Sequence, residues 1–125
     1  MYTYKCKCLR VVDGDTIDAE IDLGFKVYIR ERIRFYGINT PESRTRDLEE
    51  KARGLAAKQF LKDTLAKSKN KFILESMVDK KGKFGRILGT LYVEYQKEGE
   101  SIDKINVNQY LIDNGHAVAY FGGKR

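Results

Sequence analysis

The spacing of apolar residues changes once along this chain, and that change restricts what it can build. Up to residue 36 they recur at every second position: Ile17, Ala19 and Ile21 alternate with Asp18, Glu20 and Asp22, while Phe25, Val27, Ile29, Ile33 and Phe35 share one parity. A period of two sends successive side chains to opposite faces of a strand. From about residue 48 to 67 the spacing becomes three and four, with Leu48, Ala52, Leu55, Ala56 and Phe60 in a stripe that Leu61 and Leu65 widen. That is the pattern of a helix with one apolar face, weakened in its first half by Gly54.

Turn residues divide the strand-forming part. Residues 2–12, rich in Tyr, Thr, Cys and Val, predict a first strand, and the Asp-Gly pair at Asp13-Gly14 starts a hairpin into a second strand that ends near Asp22. Leu23-Gly24-Phe25 is the next turn, and a third strand is expected over 25–36, completing an antiparallel meander. The segment Gly37 to Ser43 interrupts the alternation, because Pro41 has no amide hydrogen and biases Thr40 toward extended geometry. Beyond the helix come a strand over 71–78, a basic glycine-containing loop over 79–85 and a strand over 86–95. Asn106 is placed to cap a short helix over 107–114, ended by Gly115. This order predicts an α+β, mainly β domain, a five-stranded oligonucleotide-binding (OB-fold) barrel with helices, occupying residues 1–125 as one domain.

The 125 residues can bury roughly two-thirds of their unfolded surface without disulfides, and 42% hydrophobic residues exclude a disordered chain. Cys6 and Cys8 lie two apart on one predicted strand, so they face the same side and are poorly placed to bridge each other. Buried thiols are expected, since no further Cys completes a zinc set. No run approaches the roughly 18 to 20 apolar residues of a membrane span, and the start, Met1 to Lys5, has no basic head followed by an apolar run. A cytoplasmic setting is therefore expected, although a mature secreted fragment given a new Met reads identically. The net charge of +6 suits an anionic partner such as nucleic acid and also suits an ordinary basic protein.

Certain residues carry chemistry. Asp13 and Asp15 flank a glycine at the start of a strand, and Glu42 lies in the proline-stiffened loop after the third strand; oxygens converging this way favour a hard divalent cation. The alternative is plain: Asp-Gly forms turns, and Glu42 is a surface charge. Arg34 occupies an apolar strand beside Ile33 and Phe35, where a guanidinium needs a partner and its planar fork suits phosphate oxygens. Arg86 follows a loop whose lysines and backbone amides suit a phosphodiester, or else form a solvated hairpin tip.

The segments Val12-Asp13-Gly14-Asp15-Thr16, Arg34-Phe35-Tyr36-Gly37-Ile38-Asn39-Thr40-Pro41-Glu42 and Asp79-Lys80-Lys81-Gly82-Lys83-Phe84-Gly85-Arg86, with the ending Gly115-His116-Ala117-Val118-Ala119-Tyr120, resemble the staphylococcal nuclease (thermonuclease) family. The resemblance spans essentially the whole chain. It implies a helix-decorated OB barrel that hydrolyses DNA and RNA phosphodiesters with Ca2+ and leaves 3′-phosphate ends. By position it implies Asp15 as direct metal ligand, Asn39 in the second ligand's place, the Thr40 carbonyl as a further donor and Asp13 acting through water. Glu42 resembles the carboxylate that orients or deprotonates the attacking water, and Arg34 and Arg86 the pair that grips the phosphate. Lys83 and Phe84 fall where the family holds a terminal phosphate, and Tyr120 matches an aromatic of the nucleotide pocket.

Three departures accompany these matches. Asn39 replaces a carboxylate usual in the family and removes one negative charge, so weaker metal binding is expected. Phe84 lacks a hydroxyl, and Gly122 stands where a second pocket aromatic is expected. The expectation is a Ca2+-dependent nuclease, with Mg2+ or Mn2+ as alternatives, acting on DNA and RNA with single strands preferred, as a monomer without membrane contact. A binding module on the same fold that has lost turnover is the alternative. His116, the one histidine, is expected in a surface or helix-end role. Arg44, Arg46, Lys51, Arg53, Lys58 and Lys62 either steer nucleic acid or are solvated helix charges.

Overall fold

A computed structural model describes residues 2–77, 86–96, 99 and 101–121. The backbone elements run β1 (Thr3–Asp13), β2 (Thr16–Asp22), β3 (Tyr28–Phe35), β4 (Ile38–Asn39), α1 (Leu48–Ala66), β5 (Lys71–Met77), β6 (Arg86–Gln96), β7 (Ile102–Asn106), α2 (Val107–Asp113) and β8 (Val118–Ala119). The main sheet has the order β3-β2-β1-β5-β6-β7, and a further pairing of β3 with β6 closes its first five strands into a barrel. That closing pair is parallel, whereas β1–β2, β2–β3, β1–β5 and β5–β6 are antiparallel. The fold is α+β and mostly strand, the OB-type barrel with helices.

The period-two pattern builds this barrel as expected. Ile17, Ala19 and Ile21 of β2 are buried with Ile33 and Phe35 of β3, against Leu74 of β5 and Leu91 and Val93 of β6. Cys6 and Cys8 share the inward face of β1 and are buried as free thiols. Burial withdraws the charged form from water and pushes the Cys6 thiol up to about 12 and the Cys8 thiol to about 11.

Two expectations are corrected. The third strand starts at Tyr28 and not at residue 25: Leu23 to Val27 form a turn in which Phe25 and Lys26 take positive φ, and Phe25 and Val27 are exposed. The apolar stripe of α1 is also displaced. Leu48, Ala52, Leu55 and Ala56 face solvent, and the buried residues are Gly54, Ala57, Leu61, Thr64 and Leu65. The helix starts where Asp47 caps it, accepting from the amides of Glu49 and Glu50.

The displaced face has a cause that bears on the site. A Cβ on Gly54 would stand 2.5 Å from the carbonyl carbon and oxygen of Glu42, and one on Gly14 would stand 2.8 Å from Ala57 Cβ. The first half of α1 thus packs its small residues against two loops, the β1–β2 turn and the segment after β4. Large apolar side chains have no room on that face. Asn106 caps α2 by accepting from the Gln109 amide, as expected.

Candidate active site

The β1–β2 turn is two residues long, Gly14-Asp15, with Asp13 and Thr16 paired across its base. A register irregularity in β1 between Val11 and Asp13 precedes it, and such bulges re-aim the strand end. Asp15 is buried although it sits in a turn. Its main-chain carbonyl accepts from the Phe35 amide at 2.9 Å, which ties the turn to the end of β3.

Its carboxylate collects donors from three segments. Thr16 Oγ1 donates to Oδ1 at 2.9 Å, the Thr40 amide donates to Oδ2 at 3.1 Å, and Arg34 Nη1 lies 3.2 Å from Oδ2. The other carboxylate of the turn is tied to the same loop, since the Ser43 hydroxyl donates to Asp13 Oδ1. The two aspartates are therefore positioned by residues three apart on the segment that follows β4.

Arg34 is the hub. Its side chain is 16% exposed and Asp15's is 10%, so the pair is largely withdrawn from water. Nη2 donates to Asn39 Oδ1 at 2.6 Å and Nη1 to the Phe35 carbonyl at 3.2 Å. The partner that an arginine in an apolar strand requires is thus Asp15, nineteen residues away, together with Asn39.

Glu42 lies on the exposed side of the same loop, its amide donating to Glu50 Oε1 of α1 at 3.4 Å. Thr40 is buried. Arg86 begins β6 and is paired with Arg32 of β3, two residues before the Leu88 that faces Arg34. Tyr120 is half-buried just after β8, its amide donating to the Gly37 carbonyl at 2.8 Å. Asp15, Arg34, Asn39 and Thr40 are joined directly, Asp13 is tied to Ser43 of the same loop, and Glu42 stands two residues beyond Thr40 on that loop. Lys83, Phe84 and Gly122 lie outside the described residues. His116 packs its ring against that of Phe60, with centroids 4.6 Å apart and planes at 35°.

A divalent cation can be tested against these donors. Among the described residues there is no group of three or more His, Cys, Asp or Glu suited to a metal ion; the oxygens that converge on Arg34 are the Asp15 carboxylate, the Asn39 amide oxygen and the main-chain carbonyls of Asp15 and Phe35, with the Asp13 carboxylate at the base of the same turn. All of these are oxygens, which fits a hard cation such as Ca2+. Asp15 and Asn39 already converge on one positive group, the guanidinium. The set fits a dication with one carboxylate fewer than a strongly charged site offers.

Several residues of the site carried no sequence signal. Ser43 reads as an ordinary loop serine. Asn108 reads as a polar position on a short helix, yet it is buried and binds three main-chain groups: Nδ2 donates to the carbonyls of Tyr36 and Gly89 at 2.8 and 3.1 Å, and Oδ1 accepts from the Leu91 amide at 3.1 Å. It locks α2 to the end of β3 and to β6. Gly54 is visible as a weak point in a helix, but its purpose, the approach of the Glu42 backbone, is not.

Known proteins resemble this chain in sequence. The family described as staphylococcal nuclease homologue matches residues 32–125. Micrococcal nuclease of Shigella flexneri is 30% identical over 119 residues, covering 94% of this chain and 59% of that protein. Protein ParB of Escherichia coli is 30% identical over 112 residues, 90% of this chain and 55% of its own. Endonuclease YhcR of Bacillus subtilis is 32% identical over 117 residues, 90% of this chain and 8% of that one. The chain spans somewhat more than half the length of the first two relatives. With a family match over three-quarters of its residues and a barrel of the expected topology, this chain belongs to the staphylococcal nuclease homologues.

Proposed function

We propose that this chain is a metal-dependent nuclease that hydrolyses phosphodiester bonds of DNA and RNA and leaves 3′-phosphate ends. One observation carries the reading: Arg34 binds both Asp15 and Asn39, Asp15 accepts from the Thr40 amide and Asp13 from the Ser43 hydroxyl, and the loop that supplies Thr40 and Ser43 also carries Glu42. The names of two relatives, a micrococcal nuclease and an endonuclease, support it.

Asp15, Asn39 and the Thr40 carbonyl would hold Ca2+, with Asp13 acting through water; Mg2+ and Mn2+ are the alternatives. When bound, the cation supplies positive charge to the phosphate oxygens and lowers the pKa of water near it. Glu42, exposed at the loop, takes a proton from the attacking water or orients it, which requires an approach of about 3 Å. Arg34 and Arg86 bind the phosphate oxygens more tightly as negative charge grows on them, and such differential binding lowers the barrier. The water oxygen bonds to phosphorus as the P–O5′ bond breaks; the 5′ oxygen takes a proton from solvent water and leaves as a free hydroxyl, and the phosphate stays on the 3′ oxygen. Lys83, Phe84 and Tyr120 complete the grip on the nucleotide.

The test is degradation of single-stranded DNA and RNA with Ca2+, Mg2+, Mn2+ or chelator, beside Glu42→Gln and Arg86→Ala. Wild type is expected to cleave only with a cation, and Glu42→Gln to lose about 100- to 10,000-fold in rate while its thermal midpoint stays put. Tight binding of the strands without cleavage would select the alternative, a binding module on the same fold.

A further inference from the structure

Gly37 separates β3 from β4, has φ +78°, and carries something unexpected on its open side. A Cβ there would stand 2.9 Å from Phe121 Cε1. The phenyl ring of Phe121 lies on the bare main chain of Gly37 and meets Tyr36 edge-on, with ring centroids 5.7 Å apart and planes at 67°. Its position is fixed further by the Tyr120 amide on the Gly37 carbonyl and, from behind, by Asn108 on the Tyr36 carbonyl. Yet Phe121 is 73% exposed. A ring so exposed and yet held at its edge has little freedom left to lose on binding.

Its place relative to the site is set by the β4–β8 ladder, in which Ile38 pairs with Ala119 and Asn39 with Val118. Two strand residues span about 7 Å, so the Gly37 on which the ring rests lies within about that distance, along the main chain, of the Asn39 that Arg34 binds. A polynucleotide whose phosphate sits at Arg34 and Asn39 brings a neighbouring base to that ring. Exposed aromatic faces bind unpaired bases of any identity by stacking, and in a duplex those base faces are already covered.

We propose that Phe121, backed by Gly37 and Tyr36, is a stacking platform for an unpaired base next to the scissile phosphate and that it favours single-stranded substrates. The inference rests on the nuclease reading of the adjoining site. Phe121 is a ring distinct from Tyr120, and its Cε1 is the atom nearest the position of a Gly37 Cβ.

The chain has no tryptophan, so Phe121→Trp places a single fluorescent reporter on the platform. KM for single-stranded oligodeoxythymidine is measured for wild type, Phe121→Ala, Phe121→Trp and Phe25→Ala, the last at a wholly exposed aromatic on the β2–β3 turn. Phe121→Ala is expected to raise KM about tenfold, with Phe121→Trp restoring it and Phe25→Ala matching wild type. In stopped flow, Phe121→Trp emission is expected to be quenched by oligodeoxythymidine and not by an abasic strand of equal length. An unchanged KM in Phe121→Ala, or equal quenching by both strands, overturns the platform while leaving the nuclease reading intact. If wild type cleaves nothing, the nuclease reading falls and the fluorescence comparison alone decides: base-dependent quenching sustains the platform, and its absence sinks it.

Discussion

Arg34 Nη2 lies 2.6 Å from Asn39 Oδ1, while Nη1 of the same guanidinium lies 3.2 Å from Asp15 Oδ2. One cationic fork therefore holds the two side-chain oxygens that a metal ion would share. Asp13, Asp15 and Arg34 together leave one net negative charge. In the proposed nuclease a dication would compete with the guanidinium for these oxygens, and the neutral amide would give it little electrostatic advantage.

Asn39→Asp is expected to tighten cation binding because it doubles that net negative charge without changing side-chain volume. Affinity depends on the charge count of the ligands, and a gain on the order of tenfold corresponds to about 1.4 kcal/mol. Calorimetric titration with CaCl2 measures it. An unchanged or weakened affinity would show that the cation does not use this position.

Removing Arg34 has the opposite character. In Arg34→Ala, Asp15 keeps the Thr16 and Thr40 donors but loses its counter-charge in a place where water reaches only about a tenth of the side chain. Breaking a buried pair from one side costs about 3 kcal/mol or more. Urea unfolding should show this loss, and Asp15→Asn in the same background should recover much of it. Equal stability of Arg34→Ala and wild type contradicts the pairing.

The five barrel strands and the cap of α2 were legible because each is a local signal: period-two alternation in β2 and β3, the Asp-Gly turn, and Asn106 before α2. The N-terminal face of α1 was not, because its contacts are made by Gly54 and Ala57, and hydrophobic periodicity takes no account of residues chosen for smallness. The strand β7 has three exposed residues followed by two half-buried ones, so it presents no alternation. The pair β4–β8 is two residues long and exists only through tertiary register. In the site, the need of Arg34 for a partner could be read from its apolar neighbours. The identity of that partner depends on where the β1–β2 turn meets the end of β3, which no local pattern encodes. Asn108 is the clearest omission: a polar residue on a short helix looks solvated until the chain brings unsatisfied main-chain groups to it.

Gly54→Ala separates helix propensity from packing. Alanine is favoured in a helix interior by about 1 kcal/mol, so an unconstrained position would be stabilised. Here the added carbon meets the Glu42 carbonyl at 2.5 Å and the Ser43 amide at 2.7 Å, and main chain does not yield as a flexible side chain does. We expect a net loss of about 1 to 3 kcal/mol in urea unfolding. Displacing the loop that carries Glu42 and the Ser43 hydroxyl on Asp13 should also lower the cleavage rate. A stabilised and fully active Gly54→Ala would refute the proposed role of the close approach.

The buried thiols set a limit on the alkaline side. Burial pushes Cys6 from its ordinary value of 9.0 up to about 12 and Cys8 up to about 11. Above pH 9 the unfolded chain releases these protons while the folded chain keeps them, so the native state binds more protons and stability falls as pH rises. The contribution is fully present below pH 9 and declines by about 1.4 kcal/mol per pH unit for each thiol until its folded pKa is reached. Other groups titrate in the same range, so the informative quantity is the difference between wild type and Cys6→Ala/Cys8→Ala in urea unfolding from pH 8 to 10.5. The double variant starts lower because it leaves cavities, and the gap should narrow with rising pH. A gap that stays constant would mean that both thiols ionise in the folded barrel as readily as in the open chain, and both would then react with a disulfide reagent at pH 8 without unfolding.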